Sequence, residues 1–361
     1  MKRLRVLGPL LAALLTLFLG AGPAAAVPGA VLWTGSTGGS QAGVPPVVSG
    51  GIAYYGAGGH TLTAFNATTG AVLWTYSFPG TTSAVNAAPV IVGSTLYVGG
   101  IAGPIAALNA ATGAVLWMGS AGSSQAGVPP VVSGGIAYYG AGGSALTAFN
   151  ATTGAVLWTY SFPGFGTAVN AAPVVVGTTL YVGGVGGGIA ALNPATGAEL
   201  WSGSAGGSQA GVPPLVSGST VYYGAGGHTL TAFNATTGAT RWTYSFALGY
   251  SVNAAPTVVG STVYVGGIGG PVAALNAATG AELWSGSAGG SQAGVSPLVS
   301  GSSVYYGAGG HTLTAFNATT GAVLWTYSFP GTTSAVNAAP VVVGSTLYVG
   351  GIAGPIAALT A

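Results

Sequence analysis

Beyond residue 5, only Glu199, Arg241 and Glu282 carry a permanent charge, and His60, His228 and His311 add the remaining groups that titrate near neutrality. General acid–base catalysis needs such a group within reach of a substrate. Glu199 and Glu282 each stand two residues before a tryptophan, and Arg241 one residue before another. Residues that share a place in a repeat are spread apart by the symmetry of the fold, so a catalytic pair is not expected. These three read instead as rim residues or a weak surface pair worth about 0–1 kcal/mol. The histidines sit in equivalent loops, with Ser144 at the fourth position. A three-histidine metal centre needs all three within about 2.0–2.1 Å of one ion, so exposed loop histidines offering repeated weak binding points are expected.

Two amide series complete the candidate ligand face: Gln41, Gln125, Gln209 and Gln292, and Asn86, Asn170, Asn253 and Asn337. Each lies near the start of a strand, where satisfying loops and turns competes with recognising a ligand.

A repeat positions these residues. Tryptophan recurs at 33, 74, 117, 158, 201, 242, 284 and 325, in steps of 41 to 43 residues. Before each one runs a hairpin such as Leu62–Phe65, Asn66–Gly70 and Ala71–Trp74, in which Asn can bond its own backbone and Gly tolerates positive φ. Every unit reads as four short strands, which predicts a propeller. Units alternate between a Ser-Gln-Ala-Gly-Val type with a Tyr-Tyr strand and a Val-Asn-Ala-Ala-Pro type with a Tyr-Val-Gly-Gly strand. The true period is therefore two units, repeated four times. Residues 54–108 and 305–359 differ only at Ile91 against Val342, so a ligand of this surface would meet several equivalent places. Pro28–Trp33 matches the second half of the hairpin without its first, and residues 355–361 supply the missing first half, matching 104–110. The expected fold is all-β: eight four-stranded antiparallel blades with pseudo-fourfold symmetry, closed when the N-terminal strand completes the last blade.

Residues 1–26 read as a signal peptide, with Lys2, Arg3 and Arg5 before an apolar run and Ala24-Ala25-Ala26 as the cleavage site. Residues 27–361 are then one exported domain, periplasmic, at the cell surface or extracellular, with membrane contact only if the leader is retained. That domain has a net charge of +1 − 2 = −1. It lacks the basic stripe that nucleic acid requires, and it has little charge repulsion to oppose self-association. No cysteine is present, so there is neither a disulfide nor a lipidated N-terminal Cys. Asn66, Asn150, Asn234 and Asn317 each begin an Asn-Ala-Thr acceptor pattern, but the turn already accounts for the Asn. Gly184–Gly188 precedes no helix and is no phosphate loop.

The hairpin Ala64–Gly70 followed by Trp74 resembles the tryptophan docking repeat of the pyrroloquinoline-quinone-like propellers. The pattern recurs at Asn109, Asn150, Asn193, Asn234, Asn276 and Asn317, with Asn where the family usually has Asp. The resemblance implies that Trp33, Trp74, Trp117, Trp158, Trp201, Trp242, Trp284 and Trp325 pack between neighbouring blades. Enzymes of that family use an aspartate base, acidic calcium ligands, an axial arginine and commonly a vicinal cysteine pair. This sequence has no Asp and no Cys, so neither quinone nor calcium is expected. The expected function is a non-enzymatic, multivalent binding or structural scaffold whose partner is a protein or glycan at the cell surface. A quinoprotein dehydrogenase and an envelope assembly factor are the alternatives.

So few carboxylates leave almost nothing to titrate below neutrality, which suits acidic or variable surroundings. Thermal melts of the exported domain should keep their midpoint down to about pH 2. A midpoint that collapses on acidification would remove that reading.

Overall fold

The computed structural model describes residues 33–34, 46–56, 61–79, 84–85, 87–122, 128–140, 143, 145–162, 168–169, 171–207, 212–224, 227–246, 250–252, 254–290, 295–307, 312–328, 340–343, 345–350 and 356–361. One compact unit runs from Gly35 to Ala361, apart from Met1–Thr34. Eight antiparallel sheets form it: blades 1 to 8 span 47–77, 90–120, 131–161, 174–204, 215–245, 257–287, 298–328 and 341–360. Seven have four strands, paired in chain order, and blade 8 has three among the described residues. Its expected fourth strand falls on residues 28–32, outside the described set, as does the expected boundary after Ala26.

In blade 1 the strands are Val47–Ser49, Ile52–Gly56, Thr61–Asn66 and Val72–Ser77. The short first strands of blades 2 and 3, 4 and 5, and 6 and 7 approach one another, while the fourth strands of blades 1 to 7 are exposed at most of their positions. First strands are thus innermost and fourth strands outermost. Asn66 closes the outer hairpin as the sequence predicts, its Oδ1 accepting from Thr68 N at 3.0 Å and Thr69 N at 2.9 Å. Six further blades repeat that turn, at Asn109 and Asn317 for example. An acceptor oxygen is all the turn asks of the side chain, so Asn serves in place of Asp without adding charge.

Consecutive blades are joined by seven core clusters, and the seams are of two kinds. Where an odd blade meets the next even one, as at blades 1 and 2, Tyr54, Tyr76 and Phe78 pack with Leu96, Val98 and Leu108. Where an even blade meets the next odd one, Trp117 stacks on Phe149 with centroids 5.9 Å apart. The difference traces to one position: the third strand has Phe before its turn Asn in odd blades and Leu in even blades. The two-blade period is therefore a period of packing as well as of sequence.

Six of the tryptophans dock on the next blade. Trp74 Nε1 donates to Ala110 O at 3.0 Å, Trp117 to Ala151 O at 2.9 Å and Trp201 to Ala235 O at 2.9 Å. Trp158, Trp242 and Trp284 do the same to Pro194, Ala277 and Ala318. Trp33 and Trp325 are half-buried. Beneath each docked indole lies the glycine of the next outer turn. At Gly197 φ is +71°, and a Cβ would come within 2.6 Å of the Trp158 ring.

Two glycines separate the causes. Gly177 has φ +57° but open space around it, so Gly177→Ala costs only the left-handed backbone, about 1–2 kcal/mol. Gly197→Ala costs that and displaces an indole, so its thermal midpoint should fall below that of Gly177→Ala. Equal midpoints would show that indole contact does not matter.

Candidate functional site

Of the residues singled out as a ligand face, the structure describes His228. It is exposed, and its Nδ1 lies 2.8 Å from Tyr250 O. His60, His311, Gln41, Gln125, Gln209, Gln292, Asn86, Asn170, Asn253 and Asn337 lie outside the described residues. Among the described residues no group of three or more metal-ligating side chains gathers. The segment before His228 is tied to the chain entering the next blade, with Val252 N donating to Gly227 O at 2.7 Å. Val252 is fully buried.

The tyrosines are structural. Tyr54, Tyr97, Tyr138, Tyr181, Tyr222 and Tyr264 donate to the same carbonyls that accept from the indoles, Tyr97 to Ala151 O at 3.0 Å for instance. A carbonyl has two lone pairs, and both are used. The second tyrosine of odd blades reaches backwards: Tyr139 donates to Gly100 O, Tyr223 to Gly184 O and Tyr306 to Gly267 O, at 2.9–3.0 Å. The Gly-Gly pairs of even blades exist for this contact, since a Cβ at Gly183 would meet Tyr223 at 2.6 Å. Burial pushes all three phenols up.

Among the described residues, the aromatics leaving blades 1, 3 and 5 form no apolar rim. Tyr and Phe alternate with exposed Thr and Ser, so both rings of a pair turn inward; Tyr76 and Phe78 meet edge to face at 5.1 Å. Tyr160 and Phe162, and Tyr244 and Phe246, repeat the geometry.

Here the two glutamates find their role. Tyr160 donates to Glu199 Oε2 at 2.8 Å and Tyr244 to Glu282 Oε2 at 2.7 Å, across the seams from blade 3 to 4 and from blade 5 to 6. Neither glutamate pairs with Arg241, which donates to Ser219 O and Oγ in its own blade. At the seam from blade 1 to 2 the equivalent position is Val115, and Tyr76 Oη is buried with no partner. Burial first, then the carboxylate's hydrogen bond and charge, push Tyr160 and Tyr244 up. Burial alone pushes Tyr76 up to about 12. Reading the glutamates as rim residues missed this pairing. The signal was their restriction to even blades, opposite an odd-blade phenol.

The outer face is apolar instead at the fourth-strand bulges of blades 1, 2, 3 and 7, where Val-Leu stands, while blades 4 and 6 have Glu-Leu and blade 5 has Thr-Arg there. Pairing shifts register between Ala64 and Phe65 opposite Val72–Trp74, which leaves Val72 and Leu73 both exposed. The same bulge recurs in the next six blades. Surface clefts lie between blades, and one of about 320 Å³ between blades 7 and 8 is lined by Trp325, Thr326, Tyr327, Leu359 and Thr360. Another of about 280 Å³ lies between blades 5 and 6, lined by Tyr244, Phe246, Tyr250, Glu282, Ser285 and Ser287 among others. Its counterpart between blades 3 and 4, about 290 Å³, is lined by Phe162, Ser202, Gly203 and Ser204 among others.

Successive four-stranded antiparallel blades, locked by an indole on the next blade's outer turn, define a β-propeller of pyrroloquinoline-quinone-like repeats. The chain belongs to the family described as outer membrane protein assembly factor BamB, whose model matches residues 24–92, 81–226 and 186–361. Among solved structures it is similar to BamB from Moraxella catarrhalis, 22% identical with a TM-score of 0.66, covering 87% of this chain and 93% of that one. The computationally designed Ika8 protein is 22% identical with a TM-score of 0.64, covering 90% and 98%. The quinohemoprotein alcohol dehydrogenase of Comamonas testosteroni is 18% identical with a TM-score of 0.63, covering 87% and 72%. At these identities the likeness is one of fold. No curated protein matches the sequence.

Two outcomes follow from the phenols. Val115 is 48% exposed, so Val115→Glu sacrifices little apolar burial and gives Tyr76 an acceptor. It should stabilise the protein by about 1 kcal/mol, read as a higher midpoint; an unchanged or lower midpoint counts against the pairing. The raised phenols stabilise the fold fully below the ordinary tyrosine value of about 10. Stability should therefore hold up to about pH 10 and fall as pH rises from about 10 through the folded values, followed by melting with tyrosinate absorbance.

Proposed function

We propose that this chain is an exported, non-enzymatic scaffold that docks protein partners of the cell envelope through the repeated loops of its propeller. The observation that supports this most directly is the use made of its reactive side chains. Six indoles and nine phenols hold one blade to the next through backbone carbonyls, and both carboxylates accept hydrogen bonds from phenols. Quinoprotein chemistry would ask for several acidic ligands around one calcium ion and an aspartate base. This sequence has no Asp, and Glu199 and Glu282 lie on the outer strands of two different blades. The residues present do not suit a calcium-bound quinone.

A more specific reading has the support of the family. Its description names an outer membrane protein assembly factor, so assistance to outer-membrane protein assembly is the second reading. The leader expected at residues 1–26 would deliver the chain to that compartment. Neutral surfaces repeated around the propeller would let it engage one partner at several places or associate with itself.

Mixing the purified protein with pyrroloquinoline quinone and calcium should give neither a bound chromophore nor dye reduction in the presence of alcohols. Cross-linking in cells should capture envelope proteins, and capture of outer-membrane barrels would select the assembly reading. Quinone-dependent turnover would overturn the scaffold.

A further inference from the structure

Among near-identical copies, the places where the repeat breaks are informative. The segment leaving blade 5, Ala247-Leu248-Gly249-Tyr250, is one residue shorter than its counterparts and puts Tyr where Ser83 and Thr167 stand. Glu282 replaces the valine found at 72, 115, 156 and 323. Both departures line one cleft, between blades 5 and 6.

We propose that this cleft is a subsite for a single neutral sugar ring. Its volume of about 280 Å³ is enough for one hexose ring. Ser285 and Ser287 are exposed and two apart on one strand, hence on the same face and about 6.5–7 Å apart. That spacing reaches hydroxyls on opposite sides of a pyranose. Glu282 accepts from Tyr244 through Oε2, which fixes the carboxylate and turns its remaining acceptor capacity to a ligand hydroxyl. Tyr250, 38% exposed, supplies an aromatic wall for the apolar C–H face of the ring. Its backbone is held by the contact of its carbonyl with His228.

Charge narrows the ligand further. No basic side chain lines the cleft, and Arg241 is engaged with Ser219. A phosphate, sulfate or carboxylate would face Glu282 uncompensated. The ligand must bring donors, and several spaced hydroxyls match the spaced serines better than one ammonium does.

The other seams grade the site. Blades 3 and 4 keep Glu199, Ser202 and Ser204 but have Thr167 in place of the tyrosine; blades 1 and 2 have Val115 and Met118. One principal subsite and one weaker copy follow. This goes beyond the protein-docking reading and does not depend on it.

The full exported domain is titrated with methyl glucoside, methyl galactoside and N-acetylglucosamine, with their linear trimers, and separately with tetramethylammonium, following tyrosine fluorescence and calorimetric heat. At least one neutral sugar should bind saturably, with a trimer no weaker than its monomer if the ring belongs to a polymer. Tyr250→Ser, which restores the residue found at 83, should weaken binding about tenfold with an unchanged thermal midpoint. Glu282→Gln should weaken it while keeping an acceptor for Tyr244, and Thr167→Tyr should strengthen the second site. The proposal is overturned if no sugar saturates, if Tyr250→Ser binds as the parent does, or if tetramethylammonium alone occupies the cleft.

Discussion

At each of the six seams from blade 1 to blade 7, one backbone carbonyl accepts two hydrogen bonds from the blade before it, from an indole N–H and from a phenol O–H. Ala110 O receives Trp74 and Tyr54, and Ala151 O receives Trp117 and Tyr97. Two buried aromatic donors would each lose free energy if left unpaired. A single acceptor on the neighbouring outer turn satisfies both, and so fixes where one blade sits on the next. The turn Asn holds the carbonyl in place, and the turn Gly lets the ring lie against the backbone. The conserved look of the hairpin within this chain is therefore a demand of the seam rather than of the hairpin alone.

The two kinds of seam show how a neutral protein economises on charge. Even-to-odd seams are closed by a tryptophan stacked on a phenylalanine. Odd-to-even seams have a smaller leucine at that place and fill the space with a tyrosine and a phenylalanine, which brings a buried phenol that needs an acceptor. Two of these seams supply a glutamate, and one leaves the hydroxyl unmet. The only acidic residues in the chain thus follow from an aromatic packing choice made one blade earlier.

Outer strands of a propeller present unpaired edges that invite pairing with other chains, and charge is the usual deterrent. Here charge is nearly absent, and every outer strand of blades 1 to 7 carries a bulge where Val-Leu or its equivalent projects. A bulge twists and interrupts the edge, so geometry takes over the role that lysines or prolines play elsewhere.

The repeat, its two-unit period and the four-strand unit were legible in the sequence, because each is a local pattern copied many times, whereas the docking of the tryptophans came from the family resemblance. Asn66–Gly70 and Trp74 fold the same way wherever they recur. The partners of Glu199 and Glu282, the unmet hydroxyl of Tyr76 and the cleft holding Tyr250 belong to seams, where residues some 40 positions apart meet. Sequence alone placed the glutamates on the outer strand and gave them nothing to do there. Spacing along the chain determines a blade, whereas which side chain faces which across a seam is decided only when two blades pack, since the contact depends on shape and on the direction each strand turns its residues.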